Sequence, residues 1–85
     1  MARYFFHLRD GTDELLDPDG QEFASLEDVR NAVMFTARDI MAGDIRNGIV
    51  DFRYRIDAED HEGAIIYSLP FKHAASVIPE ALPTA

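Results

Sequence analysis

The hydrophobic positions of this chain change their period several times, and each change marks a new element. Residues 3–9, "RYFFHLR", alternate: Tyr4, Phe6 and Leu8 fall on one side of an extended strand, Arg3, Phe5, His7 and Arg9 on the other. Aromatic side chains favour such a pleated, half-buried surface. "DGTDELLDPDGQEF" follows, with Asp10-Gly11 and Asp19-Gly20 as turn signals and Pro18 presetting a turn position. The pattern predicts a loop at 10–14, a short extended piece around Leu15-Leu16, a turn at 17–20 and a second strand at 21–24.

From Leu26 the period lengthens. Leu26, Val29, Val33, Ala37, Ile40 and Met41 recur at steps of three and four, one apolar stripe of an amphipathic helix. Ser25 is placed to cap its N-terminus, with Glu27 and Asp28 where the helix dipole is positive. Asn47-Gly48 supplies a left-handed stop, unless Gly43 ends the helix earlier. Alternation returns in "DFRYRIDA" (51–58), with Phe52, Tyr54 and Ile56 set against Arg53, Arg55 and Asp57. "EDHEG" (59–63) reads as a polar turn. "AIIYSLPF" (64–71) reads as the last strand, with Ile65, Tyr67, Leu69 and Phe71 on one face and Pro70 at an end or an edge. "KHAASVIPEALPTA" has Pro79 and Pro83 and no sustained period; it reads as a partly mobile tail with room for a short helical turn near 74–78.

The expected fold is therefore α+β in the order β-β-α-β-β, a small antiparallel sheet with one amphipathic helix packed on one face. Residues 1–71 form the single domain and 72–85 the tail. One helix covers one face of a sheet and leaves the other without an element against it. That face is expected to present Phe5, His7, Arg9, Arg53 and Arg55, beside Ile66 and Ser68 of the last strand. On the helix, steps of about 100° per residue put Phe35 roughly opposite the stripe, with Met34 and Ala42 near it. These six residues, Phe5, His7, Arg9, Arg53, Arg55 and Phe35, are the candidate interaction surface.

Composition narrows what such a surface meets. A chain of 85 residues with 47% apolar content supports one small core. Domains of this size gain from oligomerisation. The net charge of −8 is uneven: residues 1–28 carry two arginines against eight acids, 29–48 three against two, and 49–71 two against five. A polyanion is repelled by that summed field, and affinity for phosphate backbones rests largely on cations. The absence of cysteine removes disulfides, thiolate chemistry and cysteine-held zinc. No apolar run approaches a membrane span, and the opening residues lack a signal-peptide pattern, so the expected location is the cytoplasm.

Candidate chemistry is sparse. Asp10, Asp13, Glu14, Asp17 and Asp19 crowd one loop. A calcium loop counted from Asp13 has Leu15 at its third position and Pro18 at its sixth, where an oxygen ligand and a glycine are required. His7, His61 and His73 have no metal-ligand spacing. No phosphate-cradling glycine motif or nucleophile elbow occurs. The strongest catalytic pairing is His7 with Asp10 or Asp57. It lacks a nucleophile, and a histidine-based hydrolase would need His7 buried against a pocket. The expectation is thus no catalytic residue, no metal and no cofactor. It is a protein-interaction module that self-associates through an exposed sheet face or edge, with a binder of single-stranded nucleic acid on the aromatic and arginine sheet face as the alternative.

Taken together, "RYFFHLRDG", "DPDGQEF", "SLEDVRNAVMFTARDIMAGDIRNG" and "DFRYRIDAEDHEGAIIYSLPF" resemble a family of short uncharacterised alphaproteobacterial proteins, a domain of unknown function. That family opens on an R-Y-[YF]-F-H-[LV]-R-D-G pattern, and the likeness covers residues 3–71. It implies that Phe6, His7, Arg9, Asp10, Gly11, Asp17 and Gly20 belong to a shared pattern, from which Phe35 departs. It implies no catalytic residues. In shape alone, the opening strands and helix are also similar to HicB-type antitoxins, without their DNA-binding tail.

Overall fold

The computed structural model describes residues 1–80. Its elements are β1 (Ala2–Arg9), β2 (Glu14–Leu15), β3 (Gln21–Phe23), α1 (Leu26–Arg46), β4 (Arg55–Glu59) and β5 (Ile65–Pro70), followed by a 3-10 turn at Phe71–His73. The order is β-β-β-α-β-β, one strand more than expected before the helix, because the short extended piece pairs with β1 as a strand of its own.

All pairings are antiparallel. β1 is central, with β4 along one edge and β5 beyond it. β2 meets the far end of β1 through Leu8–Leu15 and Arg9–Glu14, and β3 meets its beginning through Ala2–Phe23, Arg3–Glu22 and Tyr4–Gln21. Between these two pairings, three residues of β1 (5–7) lie opposite five residues (16–20), so the chain swings out of the ladder there.

The helix is bounded as its sequence dictates. Ser25 is extended, and its Oγ accepts the N–H of Asp28 at 3.1 Å. Asn47 caps the other end, Gly48 follows with φ +90°, and Gly43 is carried inside the helix. Val29, Val33, Ala37 and Met41 are buried against Phe23, Ile56, Ala58 and Leu69, with Tyr4, Phe6, Leu8 and Tyr67 packed around them. Leu26 is exposed and Ile40 half-buried, so the buried stripe is narrower than the sequence pattern.

Two expectations are corrected at the strands and tail. β4 begins at Arg55, not at 51; residues 52–53 form a turn in which Arg53 bonds Asp51. The helical turn in the tail sits at 71–73 rather than 74–78, because Phe71 N–H donates to Tyr54 O at 3.0 Å and its ring is buried. Packing reaches Ala74, which is buried and whose carbonyl accepts Arg38 Nε at 2.8 Å. Residues 75–80 have no regular secondary structure. The expected mobility of the tail also concerns 81–85, which lie outside the described residues.

Candidate functional site

Strand alternation and register put Phe5, His7, Arg9, Arg55, Asp57, Glu59 and Ser68 on the sheet face turned away from α1. Cross-strand partners set His7 against Asp57, Arg9 against Arg55, Phe5 against Glu59 and Asp57 against Ser68. The face expected to offer arginines to a companion is thereby lined with carboxylates at matching positions.

Arg9 is the hub. Its Nη1 donates to Asp57 Oδ2 at 2.9 Å and to Glu59 Oε2 at 2.6 Å, and its Nε donates to Glu14 Oε1 at 3.2 Å. Only 16% of its side chain is exposed. These bonds, to Asp57 first and then Glu59, hold the guanidinium protonated more firmly than usual. Asp57 is 1% exposed although it stands on the outer face, because other side chains roof it. Ser68 Oγ donates to it at 2.6 Å and Arg55 Nε at 3.2 Å. Burial pushes the Asp57 carboxyl up; Ser68, Arg9 and Arg55 outweigh that and leave it below its ordinary value.

His7 is held through one ring nitrogen and faces a carboxylate with the other. Its Nδ1 accepts the backbone N–H of Asp17 at 3.0 Å, which leaves the ring proton on Nε2, 3.6 Å from Glu59 Oε1. Phe5 stacks beside it, centroids 6.3 Å apart at 11°. The outward turn at 16–20 is folded around Asp17. One carboxylate oxygen accepts Phe6 N–H at 3.2 Å, and the other accepts Asp19 N–H at 3.2 Å and Gly20 N–H at 3.1 Å. Burial raises the Asp17 carboxyl, and these backbone donors pull it below its ordinary value. Gly20 has φ +67°, and a Cβ there would stand 2.8 Å from the Phe5 ring and from Tyr4 O. Phe5 is therefore half-buried under this turn rather than standing open.

Of the six candidate surface residues, the structure brings Phe5, His7, Arg9 and Arg55 together. Arg53 is separate: it lies in the 52–53 turn, 78% exposed, with Nη2 2.8 Å from Asp51 Oδ2. That pairing, made chiefly by the Arg53 side chain, brings Asp51 down to about 2. Phe35 is 72% exposed on the outside of α1, beside an open hollow of about 420 Å³ lined also by Asn31, Met34, Arg38 and Asp39. Sequence reasoning left Asp17 and Glu59 out of the site and took Asp57 only as a catalytic pairing for His7, its cross-strand partner here. The alternation that placed Arg9 and Arg55 also placed Asp57, so that signal was available; the role of Asp17 depends on a register offset that no local pattern carries. Among the described residues, no group of three or more metal-ligating side chains is gathered, and no helix is long and apolar enough to cross a membrane.

A five-stranded antiparallel sheet, one helix on one face and an ion-paired layer on the other define a small α+β domain. The chain belongs to the family described as a domain of unknown function, DUF6894, whose model matches residues 3–72. Comparisons with curated proteins and with solved structures gave no match.

Proposed function

We propose that the protein is a small, non-catalytic interaction module that associates with itself. The observation carrying this reading is an exposed aromatic on the outer side of α1. Phe35 stands 72% exposed on the side of the helix opposite the buried stripe, and Ala42 follows it on that side, also exposed. Aromatic side chains flanked by arginine are enriched where proteins meet, and here Arg38 borders Phe35.

The sheet face is the weaker candidate. Its cations are already matched by carboxylates, and Phe5 is wedged against Gly20. The same pairing counts against a nucleic-acid platform, since Arg9, Arg53 and Arg55 each hold an acid. The R-Y-F-F-H-L-R-D-G opening, taken as the family's shared pattern, then has a structural rationale. Phe6 packs on the core, His7 and Arg9 bind the outer layer, and Asp10 accepts the N–H groups of Thr12 and Asp13 beside Gly11 at φ +93°. The lack of cysteine is compatible with a reducing compartment, and the reading places the module in the cytoplasm.

Sedimentation equilibrium of the full chain tests the proposal. The wild type is expected to dimerise in the micromolar range and Phe35→Ser to shift the equilibrium to monomer. A wild-type chain that stays monomeric at high micromolar concentration overturns the reading.

A further inference from the structure

Resting on that self-association, we propose that the second copy docks antiparallel along α1 with the two-fold axis at Ala42. Asp39 and Arg46 are both exposed, and neither makes an ion pair among the described residues. They lie seven residues apart, which on a helix leaves them on one flank, about 20° from each other. A two-fold interface is self-complementary, and antiparallel helices bring like flanks together. Asp39 of each copy is therefore level with Arg46 of the other only when the axis falls midway between those positions, next to Ala42.

The same axis puts small residues at the crossing. Ala42 is exposed, and Gly43 follows it inside the helix, so the two backbones can approach closely where they cross. Phe35, seven residues before Ala42, then lies just beyond the second copy's helix, which ends at Arg46, beside its Asn47-Gly48 cap. Phe35, Ile45 and Ile49 are among the exposed large apolar residues of the chain. Moving the axis one helical turn back, to Arg38, sets the two copies' guanidinium groups against each other and leaves Asp39 without a cation at its level.

The chain has no cysteine, so a single introduced thiol reports position. Ala42→Cys is expected to be joined to its own copy by a short bifunctional thiol reagent, and Asn31→Cys is not. In sedimentation, Asp39→Arg and Arg46→Asp should each weaken the dimer about tenfold, and the double reversal should return it to within about threefold of wild type. Circular dichroism checks that the helix is intact in each variant. Equal joining at positions 42 and 31, or a double reversal no tighter than the singles, overturns the axis while a wild-type dimer leaves self-association standing. A monomeric wild type overturns both.

Discussion

The carboxylate of Asp17 stands where a neighbouring strand would offer a carbonyl, and it accepts the N–H of Phe6 at 3.2 Å. The chain has left the ladder at 16–20, and without Asp17 the amide of Phe6 would face a gap. The same side chain ties down the amides of Asp19 and Gly20, while its own amide holds His7. One residue thus joins the turn to the middle of the central strand.

Asp17→Ala is accordingly expected to destabilise the fold by about 2–3 kcal/mol, since it strips several backbone donors of their acceptor. Asp17→Asn keeps one acceptor oxygen and should cost less. Urea denaturation followed by far-ultraviolet circular dichroism measures both; equal stability of Asp17→Ala and wild type would show the turn to be dispensable.

Asp57 makes a different case, because one of its partners, Arg9, has other acceptors. Removing it leaves Arg9 with Glu59 and Glu14, while Arg55 and Ser68 lose the acceptor given by this carboxylate. Asp57→Ala should cost about 3 kcal/mol, the usual order for breaking a buried ion network from one side. Glu14→Ala, at the exposed rim of the same network, should cost under about 1 kcal/mol. A comparison of the two denaturation midpoints decides whether burial or ion-pair number sets the strength of this layer.

Acid should loosen the outer layer before neutral or mildly alkaline conditions do. Asp17 and Asp57 both have folded-state values below the ordinary 3.8, so the unfolded chain binds their protons first. Their contribution is fully present above about pH 5 and is lost as pH falls through 3.8 towards the lower folded values. Denaturation midpoints measured from pH 7 down to 3 should be flat at first and then drop. In Asp17→Ala the acid drop should be shallower than in wild type.

Much of this fold can be read from residue pattern alone. Ser25, the Val29–Val33–Ala37–Met41 stripe and Asn47-Gly48 place the helix because capping and a period of 3.6 are local properties. The faces of β1 follow from strict alternation, and so Phe5, His7 and Arg9 fall together as expected. What failed has two causes. Alternation through Phe52 and Arg53 runs back past the true start of β4, and it masks a local signal, Asp51, which accepts the Arg53 N–H two residues on and holds it in a turn. The second cause is non-local: an arginine on an uncovered face looks available until the register sets Asp57 and Glu59 beside it. Phe35 was legible as exposed because helical phase is also local.

Binding of single-stranded oligonucleotides is the sharpest remaining discriminator, and its expected outcome is absence. Arg9 is shared by Glu14, Asp57 and Glu59, Arg55 is held by Asp57, and Arg53 by Asp51. A phosphate would have to displace carboxylates already at hydrogen-bonding distance, on a chain of net charge −8. Fluorescence anisotropy with labelled polypyrimidine and polypurine strands at low salt should show no saturable binding up to high micromolar protein. Because counterion release makes such binding strongest at low salt, that condition gives the nucleic-acid reading its best chance. Saturable binding that weakens with added salt, and that is lost in Arg9→Ala, would mean the outer layer opens to phosphate, and the ion-paired face would then be a closed form of a binding site.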